Sequence, residues 1–224
     1  MREEQPQMYQ LISTPTTEET GAGLDFIPGG FYDGEPKSKR EMSGLEKPID
    51  DGYREFLPRK AVFHTPKPRL YDFYTTEKLP LVSPKFREIL EALDPQIHEF
   101  LEIEVSLSQF PDLKLPNHFF LNIGKINDGL DFEKCRKVEC RYPPIPQAIK
   151  EKYGITSLPT SYTAIRGGNG RGWVFNVQAI RGRHLFDVWD RLCPWKPTFL
   201  SQTLMDLCRE QEILGLEALP CRPD

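Results

Sequence analysis

Five of the six carboxylates between residues 102 and 133 form a candidate set: Glu102, Glu104, Asp128, Asp131 and Glu133. Carboxylates grouped in this way have three chemical uses. Two of them can divide acid and base roles, several can hold a hard cation through oxygen, and a row of them can meet a basic partner. The spacing matches no calcium-binding loop and gives the set no histidine partner, so neither catalysis nor a metal is assigned to it. What remains is an acidic face, either solvated or turned toward a basic protein, where opposed charge raises the association rate and selects the partner.

A second group has the opposite sign. Formal net charge is -3 over residues 1–82, -6 over 83–133, +8 over 134–183 and -3 over 184–224, within a total of -4. The basic block holds Lys134, Arg136, Lys137, Arg141, Lys150, Lys152, Arg166, Arg171, Arg181 and Arg183. A continuous surface of such groups can track phosphates. No helix-turn-helix, zinc finger or RNP-like aromatic pattern accompanies it, and the sequence pI is near 5.7, which favours a protein partner over nucleic acid. A nucleic-acid-binding protein using 134–183 stays open as an alternative.

The run Gly168-Asn169-Gly170-Arg171-Gly172 would let backbone N–H groups approach a phosphate, but such loops deliver the anion to the N-terminus of a following helix. Here Trp173-Val174-Phe175-Asn176-Val177 follows and is β-like. The run therefore reads as the loop of a hairpin between strands at Ser161–Ile165 and Trp173–Ala179. Nucleophilic chemistry needs a thiol or hydroxyl beside a base. Five cysteines (Cys135, Cys140, Cys193, Cys208, Cys221) and four histidines (His64, His98, His118, His184) leave a Cys/His hydrolase as a further alternative. The cysteines form no C-x-x-C pair, so neither a zinc site nor a disulfide framework is indicated. No catalytic, cofactor-binding or metal-binding residue is assigned.

The elements that must position these groups follow from periodicity. Ser83 and Pro84 suit the N-cap and first position of a helix in which Phe86, Ile89, Leu90 and Leu93 form one apolar stripe. Phe100–Val105 alternates with period two, which turns Leu101, Ile103 and Val105 inward and Glu102 and Glu104 outward. His118–Ile123 reads as a strand and Asn127-Asp128-Gly129 as a turn. A short helix is expected at 146–153, a strand at Arg183–Trp189, a helix from Gln202 to Glu212 capped by Ser201 with Leu204, Leu207 and Cys208 inward, and a last strand at Gly215–Cys221. Residues 1–77 carry loop clusters and recurrent aromatics and read as an extended Pro/Gly-rich arm packed on a core spanning 78–224. Short strands are expected near Met8–Ile12, Ala61–His64 and Leu70–Tyr74. Strands and two or three helices without regular β-α-β alternation predict an α+β fold with a mixed or mainly antiparallel sheet.

Hydrophobic residues at 38% and charged residues at 28% are ordinary for a globular chain, while 21 prolines predict long irregular connections. The start, Met1-Arg2-Glu3-Glu4-Gln5-Pro6, has no apolar core of a signal peptide, and no stretch approaches the ~20 apolar residues of a membrane span. A cytoplasmic location without membrane contact is expected.

From Leu81 onward the motifs occur in a distinctive order. They are Leu81-Val82-Ser83-Pro84-Lys85-Phe86-Arg87, Phe119-Phe120-Leu121-Asn122-Ile123, Gly129-Leu130-Asp131-Phe132, Arg183-His184-Leu185-Phe186-Asp187-Val188-Trp189, Phe199-Leu200-Ser201-Gln202-Thr203-Leu204 and Gly215-Leu216-Glu217-Ala218-Leu219-Pro220. Over about residues 78–221 the chain resembles the bacterial polymorphic-toxin immunity protein family eleven. The resemblance implies a protein encoded beside a secreted or contact-delivered toxin, which binds that toxin and blocks it in the producer's cytoplasm, with no catalytic residues and no cofactor to carry over. On this reading Glu102, Glu104, Asp128, Asp131 and Glu133 are the charged contacts for a basic toxin. Arg166 and Arg171 would serve an acidic one, and the loop aromatics Trp173 and Trp195 are candidate anchors.

Overall fold

The computed structural model describes residues 5–12, 23–27, 57–76, 79–141, 161–165, 171–188 and 197–222. The expected helix at 146–153, Arg166 and Trp195 lie outside them. The first helix, α1 (Pro84–Leu93), starts as its sequence predicts: Ser83 is extended and its Oγ accepts the Phe86 N–H at 3.2 Å, while Pro84 occupies a position where a missing N–H costs nothing. Ser201 does the same for α2 (Gln202–Glu210), accepting the Leu204 N–H at 3.1 Å. Phe86, Ile89 and Leu90 of α1 are buried, as are Leu204 and Cys208 of α2. Met205 is buried as well, whereas Leu207, expected inward, is only partly buried.

Two mixed sheets flank this helix pair. The six-stranded sheet has the order β2 (Gly23–Ile27), β3 (Lys60–His64), β6 (Glu99–Leu107), β7 (His118–Asn122), β5 (Leu81–Val82) and β4 (Phe73–Tyr74), antiparallel except between β3 and β6. The five-stranded sheet has the order β13 (Ala218–Pro220), β1 (Met8–Leu11), β12 (Thr198–Ser201), β11 (Leu185–Val188) and β8 (Lys125–Ile126), antiparallel except between β11 and β8. The fold is thus α+β with mixed sheets, as the irregular order of elements predicts.

Period-two alternation assigns each sheet face to a different core. Tyr9, Leu185 and Leu200 of the five-stranded sheet and Val82, Phe119 and Leu121 of the six-stranded sheet meet α1 and α2 in one shared cluster. Their neighbours Met8, Phe186, Val188 and Phe199 point the other way and are covered by Leu130, Trp173, Phe175 and Ile180. Behind the six-stranded sheet, Ala61, Phe63, Ile103, Val105 and Phe120 pack with Leu57, Leu79 and Leu81.

Two expectations are corrected. Trp173–Ala179 is not a strand, and Ser161–Ile165 (β10) does not pair with it. β10 pairs antiparallel with β9 (Lys137–Arg141), for which the sequence predicts no element. The alternation in residues 173–177 reflects one-sided burial of an irregular segment. Its backbone is bonded piecemeal, with Val174 O accepting from Asp131 N, Phe175 N donating to the Gln5 side chain and Asn176 N donating to Gly129 O, and it then turns at Asn176–Ile180. Among the described residues it makes an isolated antiparallel bridge from Phe175 to Leu130 rather than a ladder.

Polar ties hold the layers together. Asp94, the C-cap of α1, is buried and accepts N–H bonds from His184 and Leu185 at the start of β11, at 2.9–3.1 Å, and a bond from His98 Nε2 at 3.2 Å. Because Gly124 N–H donates to His98 Nδ1, the ring proton sits on Nε2, facing Asp94. On the opposite side of α1, Asp72 accepts from Ser83 Oγ at 2.7 Å and from Leu214 N at 3.0 Å. Gly215 follows with φ +85°, where a side chain would also run into the Phe73 carbonyl.

Two tests follow from these ties. Ser83→Ala removes a cap and the partner of Asp72, and is expected to lower stability by about 1–2 kcal/mol, read as a lower urea midpoint with an unchanged slope. The second is acid sensitivity. Burial holds the His118 imidazole below its ordinary 6.5, outweighing the Pro116 and Tyr71 carbonyls that favour its charged form. Burial alone would raise Asp94, but the His98 bond and the Leu185 and His184 N–H groups prevail and hold it below 3.8. In both cases the unfolded chain takes up the proton first, so stability is complete above the unfolded value and is lost as pH falls through the folded one. Urea midpoints should therefore begin to drop as pH falls below about 6.5 through His118 and drop again below about 3.8 through Asp94, and His118→Asn should flatten the first of these slopes. An unchanged slope in the variant would exclude His118 as its source.

Candidate functional site

Only half of the inward face of the six-stranded sheet is covered by the helices. Arg87 of α1 marks the border: its guanidinium lies 4.5 Å from the Phe119 ring centroid and 5.3 Å from that of Phe100, and it pairs with Glu91 at 2.8 Å. Beyond it the face opens to solvent across β2, β3 and the C-terminal half of β6.

The strand register arranges this open half in rows. Ile27, Lys60 and Glu104 stand side by side, then Asp25, Val62 and Ser106, then Gly23 and His64, with Ser108 just past the end of β6. Glu102 lies one step along β6 from Glu104 on the same face. Lys60 Nζ donates to Glu104 at 2.7 Å and Asn117 Nδ2 donates to Glu102 at 2.9 Å, so both carboxylates are held in place while staying exposed. Ile27, at 48% exposure, adds an apolar member at the edge.

His64 lies between Asp25, at 2.7 Å from its Nε2, and Ser108, at 2.9 Å from its Nδ1. A hydroxyl linked through an imidazole to a carboxylate can activate a nucleophile where water is excluded and donors await the developing oxyanion. Here the Asp25 side chain is 71% exposed and that of His64 44%, and the Ser108 N–H is spent on Phe63 O. The trio suits a surface polar network better than a reaction centre. Asp25 and His64 were missed in the sequence as members of this surface. The signal was the alternation Leu24-Asp25-Phe26-Ile27, hidden among the loop residues around it.

The other three acidic candidates belong to a different part of the fold. Asp128 is exposed in the turn after β8. Asp131 pairs with Lys134, which holds its carboxyl below the usual range, and Glu133 pairs with Lys137 at 3.3 Å. The five carboxylates therefore form two groups on separate elements, because β6 carries two of them in the six-stranded sheet and the other three follow β8 of the five-stranded one. Arg171 is exposed and bridges to Arg222. Trp173 is corrected as a surface anchor: it is 2% exposed, packs edge-on against Phe199 and donates from Nε1 to Gln10 Oε1 at 2.9 Å. A large ring beside an apolar sheet face gains more from burial than from water.

The described thiols are structural in their surroundings. Burial pushes Cys208 and Cys221 up to about 12 and also raises Cys135, whose Sγ bonds with the Val174 backbone. Burial disfavours the thiolate that nucleophilic chemistry requires, and none of the three is hydrogen bonded to a histidine. Among the described residues no group of three or more His, Cys, Asp or Glu is placed to hold a metal ion, and no helix is long and apolar enough to cross a membrane.

The open half-sheet carries charged side chains fixed on paired strands. Such a surface suits contact with another protein. Comparison with known proteins bears on which kind: no curated protein matches the chain, but the model of the immunity protein family (Imm11) matches residues 35–222. That match takes in both sheets and both helices except β1 and β2, and extends well ahead of the motifs that begin at Leu81. With most of its length so matched, the chain belongs to the immunity protein family Imm11.

Proposed function

We propose that this chain binds a cognate bacterial toxin in the cytoplasm and neutralises it by covering its active or substrate-binding surface, without chemistry of its own. Family membership supports the class of function. The observation that carries the choice of surface is the open half-sheet, where Glu102, Glu104 and Asp25 project from rigid strands rather than from loops. Contacts built on strands lose little freedom on binding, which leaves more of the interaction energy as affinity. The carboxylates suit a toxin with a basic working surface, as an enzyme acting on nucleic acid would have. Charge at such a surface speeds encounter and excludes wrong partners.

The toxin is the product of the adjacent gene on this reading. Co-expression should yield a stoichiometric complex and restore growth to cells producing the toxin. The double charge reversal Glu102→Lys with Glu104→Lys should leave far-UV circular dichroism unchanged and lower the melting temperature only slightly, through the lost Lys60 pair, while weakening the complex on the order of tenfold or more, chiefly through slower association. A neighbour that neither co-purifies nor is neutralised would end the immunity reading. A complex that ignores the reversal would move the contact elsewhere on the chain.

A further inference from the structure

A second charged surface is assembled by the backbone around Gly172. Arg136 N donates to Gly172 O at 3.1 Å, Gly172 N donates to Arg222 O at 3.0 Å, and Arg171 forms a parallel bridge with Arg222. Residues 136, 171 and 222 are thereby brought together from three distant parts of the sequence, and all three are exposed. Residues paired across a bridge send their side chains to the same side about 5 Å apart, and like charges so opposed repel. Neither Arg171 nor Arg222 has an ion pair among the described residues. The nearby carboxylates Asp131 and Glu133 are already engaged with Lys134 and Lys137.

We infer that Arg171 and Arg222 form a docking surface for an acidic segment of a protein partner. The guanidinium fork matches a carboxylate with two parallel hydrogen bonds, and a bound acidic side chain would relieve the repulsion that the backbone imposes. The surroundings favour a protein over a nucleic acid. The neighbouring aromatics Trp173 and Phe175 are buried and offer no face on which a base could stack. This surface is separate from the carboxylate-bearing half-sheet and stands whether or not that half-sheet meets a toxin.

The test uses the full chain and a fluorescein-labelled peptide of alternating Glu and Ser, followed by anisotropy. Binding is expected at low salt and should weaken as salt rises. Arg171→Glu with Arg222→Glu should reduce affinity at least about tenfold, Arg171→Lys with Arg222→Lys should reduce it less, and Glu102→Gln with Glu104→Gln should leave it unchanged. Arg171→Gln supplies an independent readout that does not need the peptide: removal of one of two apposed charges should hold or raise the melting temperature. The inference is overturned if the wild-type chain does not bind the peptide at low salt, if the reversal variant binds it equally well, or if a single-stranded oligonucleotide binds more tightly through the same arginines. A melting temperature lowered by Arg171→Gln would also count against it, since the guanidinium would then be stabilising the free chain.

Discussion

A charged carboxylate is costly inside a protein, and Asp94 is tolerated there because three donors meet its two oxygens. Two consecutive N–H groups at the head of β11 and the Nε2–H of His98 converge on it, and His98 is in turn oriented by the Gly124 N–H. The groups come from the end of α1, the approach to β6, the link after β7 and the start of β11. One buried acceptor thus fixes where the five-stranded sheet begins relative to the helix that the six-stranded sheet carries. An apolar residue in its place would leave several buried donors unpaired, each at a cost of about 1–3 kcal/mol. The shared core of Phe86, Leu90, Phe119, Leu185, Leu200 and Leu204 supplies most of the favourable burial, while Asp94 gives that burial a single geometry.

The open half-sheet is a consequence of that geometry. Two short helices cover only part of a six-stranded face, and the border falls at Phe100 and Phe119, whose rings are capped by Arg87. Past this point the face of β6 that bears Phe100 has no helix to meet and is open to water, so it carries Glu102, Glu104 and Ser106 where an apolar residue would otherwise stand. Lys60, Asn117, His64 and Ser108 then satisfy the polar groups laterally. A sheet face covered on one half and charged on the other is a rigid platform, and rigidity is what a surface needs if it is to bind tightly without ordering itself first.

Local chemistry was fully legible where one segment decides its own fate. Ser83-Pro84 and Ser201 set both helix starts, and the alternation in β6 placed Glu102 and Glu104 on the outside, because capping and period-two patterning involve only near neighbours. The pattern failed where burial was one-sided but the backbone partners were irregular. Trp173 and Phe175 alternate like strand residues, yet the N–H and C=O groups of Val174, Phe175 and Asn176 are met by Gln5, Asp131, Cys135 and Gly129, none of which can be anticipated from residues 173–179. The grouping of candidate contacts failed for a related reason: five carboxylates close in sequence divide between two sheets because the chain leaves one sheet at the end of β7 and enters the other at β8.

The sequence by itself determined the α+β class, the two capped helices, the outward acidic face of β6 and, through the order of its motifs, the family. These depend on propensity, periodicity and spacing, which a linear chain carries intact. Only the tertiary structure decided that Asp25 and His64 join Glu102 and Glu104 on one platform, that Trp173 belongs to the core, and that Arg136, Arg171 and Arg222 stand together. Each of those outcomes rests on backbone pairing between segments tens of residues apart, and strand register across such distances is fixed by packing of the whole molecule rather than by any local run of residues.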